Sequence, residues 1–367
     1  MRIRRPPDFV LLLTLLLLLG LGIVMVFSST LWFATLPPFN DTFFFLRRQL
    51  IWALIGLAAM FLMMNYDYWR LKRWAGLLLI CGLALLVVVL IPGVGVSRLG
   101  AQRWLNLGPL SFQPAEFVKL CLVVFTACGL SRQLDKLRNF WSGVLPYIAL
   151  AGLSAGLILL QPDLGTAVTV VGTIFIMLFA AGVQIGNLAI VGLLGTGAVG
   201  MAIRHEPYRL RRFLAFLDPE KDPQGAGWHI LNSLMSLGSG GLLGTGLGQG
   251  HAKYLWVPER HTDFIFAIIG EELGFIGAAF VIFLFILFIW RGFKVAVTSP
   301  DSFGTLLAAG IVAGIAVQVI INIGVVTSTL PITGITLPFI SFGGSSLVFS
   351  LASVGILLNI SRYSVYK

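Results

Sequence analysis

Residues 9–27 read Phe9-Val-Leu-Leu-Leu-Thr-Leu-Leu-Leu-Leu-Leu-Gly-Leu-Gly-Ile-Val-Met-Val-Phe27. Two readings compete for this run, and the choice between them decides the topology. Arg2, Arg4 and Arg5 stand ahead of Leu11–Leu19, as in a secretory signal. A signal, however, closes at a small-x-small cleavage site after 7–15 apolar residues. This run stays apolar through Val26 and has no such site. A bilayer crossing needs about 20 mostly apolar residues, and the run has that length. It reads as a retained first span.

The same pattern recurs along the chain. About ten candidate spans fall at 9–27, 48–64, 74–91, 115–130, 145–160, 166–182, 185–202, 264–290, 303–326 and 344–360. The chain is 57% hydrophobic and only 11% charged, with 28 Phe. Its mean hydropathy of +0.95 is that of a membrane protein rather than a soluble domain. The runs are apolar on every side, whereas a membrane barrel would show alternating strands of about ten residues. The expected fold is all-α: a polytopic integral membrane protein of about ten helices, forming one membrane domain over residues 1–367.

Basic residues set the orientation. With the N-terminus in the cytoplasm, the inside segments hold Arg2, Arg4, Arg5, Arg70, Lys72, Arg73, Arg132, Lys136, Arg138, Arg291, Lys294, Arg362 and Lys367. The short outside segments hold Arg47, Arg48, Arg98, Arg103 and Lys119. Thirteen against five predicts N-in and C-in. Segment 203–263, between spans seven and eight, is too long to count and lies outside. These inner loops account for most of the net charge of +10. Without a basic, aromatic-interleaved soluble domain, nucleic acid is excluded as a partner; the surplus arginines outside suit an anionic lipid headgroup. Cys81, Cys121 and Cys128 lie within spans without metal-type spacing and read as packing residues.

Two outer segments are long, 92–114 and 203–263. In the second, residues 207–217 set Arg209, Arg211 and Arg212 beside Phe and Leu, the pattern of an interfacial helix. Asp218-Pro219 and Asp222-Pro223 end it. Residues 238–250 then carry seven glycines. They include no Gly-x-x-x-x-Gly-Lys-Ser/Thr, so a nucleotide P-loop is rejected. A flexible or closely packed re-entrant turn and an amide nest for a diphosphate both remain open. Gly195, Gly197 and Gly200 match a dinucleotide pattern but sit inside a span, where small residues pack helices.

Ionisable residues at membrane depth carry a functional hypothesis. Gln113-Pro-Ala-Glu-Phe-Val-Lys119 opens the fourth span; Glu116 and Lys119 are three apart and share a face, as a structural pair or as part of a site. Gln161-Pro-Asp-Leu-Gly-Thr166 joins two spans, with Asp163 placed as a helix cap. Arg47-Arg48 opens span two, where snorkelling is the plain account. The fourth site is Val257-Pro-Glu-Arg-His-Thr-Asp263, followed by an apolar run containing Glu271 and Glu272. Capping explains one acceptor at Thr262 or Asp263 but not Glu259, Arg260 and His261 beside it.

These motifs resemble the SEDS family (shape, elongation, division and sporulation). The resemblance is carried by Gly100-Ala-Gln-Arg-Trp-Leu-Asn-Leu-Gly-Pro-Leu-Ser-Phe-Gln-Pro-Ala-Glu116, Gln161-Pro-Asp-Leu-Gly-Thr166, Pro258-Glu-Arg-His-Thr-Asp-Phe-Ile-Phe266 and Pro338-Phe-Ile-Ser-Phe-Gly-Gly-Ser-Ser346. Arg5-Pro-Pro-Asp-Phe9 and Trp104-Leu-Asn-Leu-Gly108 look more like the FtsW/SpoVE branch than the RodA branch. Phe342 stands where the family commonly has Tyr, and Ala115 where it commonly has Ser.

The resemblance implies a peptidoglycan glycosyltransferase that polymerises lipid II at the outer face of the bacterial cytoplasmic membrane. A class B penicillin-binding protein transpeptidase and other division proteins would be its partners. The family's catalytic aspartate falls on Asp263, and its other functional charges on Arg48, Glu116, Lys119 and Asp163. Glu259, Arg260 and His261, with Arg209, Arg211 and Arg212, complete the expected substrate-binding set. The chemistry suits one inverting displacement: a carboxylate takes the acceptor's proton and cations receive the departing diphosphate. A divalent cation, Mg or Mn, could share that charge, but no ligand cluster specifies one. A lipid II flippase and a non-catalytic division scaffold are the competing classes. A flippase needs a polar path open to both faces, whereas these charges cluster outside.

Overall fold

The computed structural model describes residues 5–98, 101–107, 110–225, 227–251, 257 and 259–364. Arg2, Arg4 and Lys367 of the charge tally, and Gly100, Gly108, Pro109 and Pro258 of the motifs, lie outside them. Twelve α-helices follow in order: α1 Phe9–Thr30, α2 Phe44–Asn65, α3 Leu71–Leu90, α4 Pro114–Arg132, α5 Leu145–Leu159, α6 Leu164–Ala180, α7 Ile185–His205, α8 Pro207–Leu217, α9 Trp228–Ser239, α10 Ile265–Val297, α11 Ser302–Val326 and α12 Gly344–Ser361. Among the described residues, nine helices are long and apolar enough to cross a bilayer. A tenth apolar helix, α6, has 17 residues. All ten expected spans are present as helices, and the chain is a multi-pass membrane protein.

The all-α expectation needs one correction. Segment 92–114, read as a plain loop, folds into a small antiparallel sheet of β1 Gly95–Arg98, β2 Ala101–Leu107 and β3 Leu110–Phe112. Strands of only 4, 7 and 3 residues show a pattern that only pairing reveals, because each strand satisfies its backbone on the next.

The spans pack around α11, the most buried of them, which touches α4, α6, α10 and α12. Helix α7 is peripheral and leans mainly on α6 and α8. Aspartates fix several helix starts: Asp8 Oδ1 accepts from Leu11 N at 3.0 Å, Asp163 Oδ1 from Thr166 N at 3.0 Å. At the end of the bundle where α1 starts, polar side chains knit the helices together. Arg291 Nη2 donates to Asp8 Oδ2 at 2.5 Å, Tyr68 Oη to Asp301 Oδ1 at 2.6 Å, and Asn359 Nδ2 to the Met64 carbonyl at 2.7 Å.

Helix α10 is broken at Gly274, whose φ of 68° lies in the left-handed region. The glycine-rich segment after α9 docks there backbone to backbone. Thr245 N and Gly246 N donate to the carbonyls of Glu271 and Glu272 at 3.0 Å each, and Phe275 N donates to the Gly241 carbonyl at 2.9 Å. Of the two open readings for 238–250, this is the packed turn, since Thr245 and Gly246 spend their amides on α10. It also explains Glu271 and Glu272. Glu271 Oε1 accepts from His251 N at 2.6 Å, and Glu272 Oε2 from Ser28 Oγ of α1 at 2.5 Å. Both carboxylates brace the break.

Candidate active site

A cavity of about 450 Å³ opens at the end of the bundle opposite the Asp8 and Asp301 contacts. Its wall is built from the first turns of α2, α4, α6 and α12, the segment before α10, the sheet, helices α8 and α9, and residues 331–336 after α11. Several helix N-termini therefore converge on one space. The positive ends of their dipoles make it favourable to anions.

Asp263 lies on this wall, half-buried. It does not cap α10: the cap position is Phe264 and no side chain bonds the first turn. Among the described residues the Asp263 carboxylate accepts no hydrogen bond, so the capping alternative falls away. Enclosure by protein pushes its pKa up to about 7, from an ordinary value of 3.8. The neighbouring Glu259 and Asp163 carboxylates push the same way, while the Arg103 and Arg212 guanidinium groups oppose them. The result is a carboxyl group that titrates near neutral pH, as a general base requires.

The basic form is the ionised one, so the rate constant should rise about tenfold per unit as pH approaches 7 from below, then level off. A pH–rate profile of the purified protein checks this; an acid limb near 4 would contradict it.

The structure brings Arg48, Glu116, Asp163, Arg209, Arg212, Glu259, His261 and Asp263 to this one cavity. Lys119, Arg211 and Arg260 are not on its wall. Lys119 sits one turn deeper on α4, where its Nζ pairs with Glu116 Oε2 at 2.8 Å and donates to Gln318 Oε1 at 2.9 Å. It borders a separate pocket of about 60 Å³, so the expectation that both members of the pair face Asp263 holds only for Glu116. Arg260 is buried away from the cavity with its guanidinium 4.9 Å from the Phe33 ring centre. Arg211 is exposed on the far side of α8, because helical periodicity turns it away from Arg212.

The cations on the wall are unequally occupied. Arg209 is committed to the carbonyls of Ala202 and Leu159 at 3.1 Å each. Arg103, which lines the cavity but was not in the expected binding set, donates to the carbonyls of Gln161 and Pro162 and lies 3.6 Å from Asp163 Oδ2. Asp163 is itself a structural acceptor, taken by Thr166 and Arg103. Arg48 and Arg212 make no ion pair among the described residues; they rest over the rings of Phe44 (4.7 Å) and Tyr208 (4.3 Å). Burial lowers the Arg212 pKa, against an opposing pull from Tyr208 and Asp263.

His261 is held by rings rather than by charges: Phe45 at 5.1 Å, Phe342 at 5.6 Å and Phe33 at 6.3 Å. Burial, then Arg260, pulls its pKa down to about 4. At neutral pH it is uncharged and offers no cation to an anionic ligand.

The sequence reading also passed over Gln318 and Asn322. Both are buried in the apolar α11 and stand four apart, which puts them on one face. Polar residues spaced this way inside a span were the available signal. Their amides hold the 331–337 segment: Gln318 Nε2 donates to the Thr336 carbonyl at 2.9 Å and Asn322 Nδ2 to the Ile335 carbonyl at 2.6 Å. No three His, Cys, Asp or Glu among the described residues stand close enough to form a metal cage.

A family profile described as "Cell cycle protein", covering FtsW, RodA and SpoVE, matches residues 9–366. The chain belongs to this family. SEDS relatives match along nearly their full length. Stage V sporulation protein E of Bacillus subtilis is 47% identical over 361 residues, spanning 98% of each chain. A probable peptidoglycan glycosyltransferase FtsW of Trichlorobacter lovleyi is 45% identical over 359 residues, covering 96% of this chain and 93% of the relative. The expected FtsW/SpoVE branch is the one these relatives represent. Among solved structures, rod shape determining protein RodA of Thermus thermophilus superposes with a TM-score of 0.72 at 30% identity, covering 98% of both chains. A peptidoglycan synthase complex whose structure concerns the coordination of polymerization and crosslinking contains a chain of TM-score 0.80 at 33% identity, covering 97% of this chain and 98% of that one. The SEDS fold therefore extends over the whole chain.

Proposed function

We propose that this SEDS protein is a peptidoglycan glycosyltransferase that polymerises lipid II into glycan strands. The observation that carries the reading is Asp263, a carboxylate without a hydrogen-bond partner among the described residues, held near neutral pKa in an arginine-lined cavity at one end of a membrane bundle. Similarity to relatives named peptidoglycan glycosyltransferase supports it. In the step proposed, an acceptor hydroxyl oxygen attacks the anomeric carbon of the diphosphate-linked sugar. Asp263 takes the hydroxyl proton, the carbon–oxygen bond to the diphosphate breaks, and the diphosphate leaves with the bonding pair. One displacement inverts an α-linkage to β and needs no second carboxylate as nucleophile.

Arg48 and Arg212 are the cations best placed to receive the departing charge, because Arg103 and Arg209 are bound to backbone carbonyls. Charge-assisted contacts of this kind contribute about 1.5–3 kcal/mol. Arg212→Gln should therefore raise the half-saturating lipid II concentration or lower the rate by about 10- to 100-fold overall. Arg211→Gln, on the exposed face of α8, should change either by less than about threefold. Steady-state kinetics of the two variants checks the contrast; equal effects would remove Arg212 from the site.

The orientation that places Asp263 outside follows from the basic-residue count, with both termini cytoplasmic. The polar contacts of Asp8, Asp301 and Asn359 at the other end weigh against a path open to both faces, and so against a flippase. By similarity to the synthase complex, a class B penicillin-binding protein transpeptidase is the partner, and cell division or sporulation the process served. A divalent cation at the diphosphate would have to be held chiefly by substrate oxygens, since the described residues hold no group of three His, Cys, Asp or Glu that could cage one. The direct test incubates purified protein, with and without the transpeptidase, with lipid II and sizes the products. Absence of polymer under both conditions would overturn the reading.

A further inference from the structure

Three consecutive backbone carbonyls at the catalytic segment are each held from the C-terminal third of the chain. The His261 carbonyl accepts from Phe342 N at 2.8 Å. The Thr262 carbonyl accepts from Ser341 Oγ at 2.6 Å. The Asp263 carbonyl accepts from Asn322 Nδ2 at 2.8 Å. Ser341 Oγ in turn accepts from Leu337 N at 2.8 Å, and the same Asn322 amide also reaches the Ile335 carbonyl. Asn322 is almost fully buried on α11, the most enclosed helix of the bundle. Its amide thus joins the segment bearing Asp263 to the 331–337 wall, where Gly334 lies so close that a Cβ would stand 3.5 Å from Asp263 Oδ2.

A carboxylate with no hydrogen bond of its own is aimed only by its backbone. We infer that Asn322, seconded by Ser341, is a positioning residue: it fixes the register of Asp263 against the cavity and so sets the rate of proton abstraction, without touching substrate. The geometry supports this on two counts. Residues 261–263 precede the first turn of α10, where a local turn onto the Glu259 carbonyl shapes them (Thr262 N at 3.1 Å, Phe264 N at 3.2 Å), and the three bonds above tie that turn to the rest of the bundle. The bonds also fall on backbone carbonyls, leaving the Asp263 carboxylate on the cavity wall. Misplacing a catalytic group by about 1 Å can cost roughly 100-fold in rate.

The inference rests on the glycosyltransferase reading, so wild-type protein in the same lipid II assay separates the two: no polymer from wild type defeats that reading, not this one. With active wild type, Asn322→Ala is expected to lower kcat about 100-fold while the half-saturating lipid II concentration stays within about threefold. Asn322→Leu, close to isosteric but without a donor, should match it. Ser341→Ala should lower kcat by about tenfold, one bond's contribution. The acid limb should also move below 7 in Asn322→Ala, as a loosened Asp263 gains water. The charged groups facing Asp263 that set this limb are Glu259 on its own segment, Asp163 before α6, Arg103 on β2 and Arg212 on α8; His229 of α9 lines the same cavity.

Unchanged kcat in folded Asn322→Ala would overturn the assignment. So would a lowered affinity at normal kcat, or a lowered kcat with the acid limb unmoved. Failure of both Asn322→Ala and Ser341→Ala to give monodisperse protein would assign these bonds to stability alone, and equally overturn it.

Discussion

Asp263→Asn should abolish polymer synthesis, with a fall of about 100- to 10,000-fold for loss of a general base, while the protein inserts and folds normally. The amide keeps the size of the carboxyl group but cannot take a proton from an acceptor hydroxyl. The same variant should be the more stable protein at alkaline pH. In wild type the folded carboxyl has its pKa raised to about 7, above the 3.8 of an ordinary aspartate. The protonated form is the one the fold favours, so this contribution to stability is fully present below about 4 and is lost as pH rises to about 7. Asparagine has no such dependence. Its melting midpoint in detergent should therefore match wild type near pH 4 and exceed it by a few degrees at pH 8, a gap kept small by solvent in the cavity. Product sizing together with melting curves at the two pH values tests both halves. Retained polymer synthesis would reduce Asp263 to a structural residue, and a gap that closes at high pH would contradict the raised pKa.

Gly274→Val should have the largest effect on folding. Gly274 combines a φ of 68° with a position where a Cβ would lie 2.3 Å from Gly244 N and 2.6 Å from the Leu242 carbonyl. A β-branched residue fits neither the dihedral nor the space. Its cost should reach about 3–5 kcal/mol, in the range of severe single substitutions, and would undock the glycine-rich turn from α10. Gly20→Ala in α1, where a Cβ meets nothing within 4 Å, serves as the control and should behave as wild type. The yield of monodisperse protein and the melting midpoint read the difference. A Gly274→Val protein as stable as the control would mean that the turn does not depend on this break.

Much of the molecule was legible beforehand because the bilayer makes the rules strict. A helix that crosses lipid must be apolar for about 20 residues, so the spans announce themselves; even α6, with 17 residues, was found by its run. Asp163 and Pro114 could be placed as a helix cap and a first-turn residue because capping is local chemistry. The small sheet at 95–112 could not be read, since its strands are a few residues long and show their pattern only when paired. Arg209, Arg211 and Arg212 looked alike in sequence, yet one is bound to carbonyls, one faces away and one remains open to the cavity.

The sequence by itself determined the class, the apolar helical runs and the family, and it pointed to Asp263 through charge collected where apolar chain should run. Its successive motifs, 100–116, 161–166, 258–266 and 338–346, lie far apart in the chain, and nothing in that spacing states that they meet. Only the tertiary structure decided that Glu116 faces the cavity while Lys119 does not, that Asp263 is free of capping, and that Asn322 holds it. These are outcomes of packing: helix rotation about α11 and backbone bonds across 59 to 81 residues choose which side of each motif reaches the shared space.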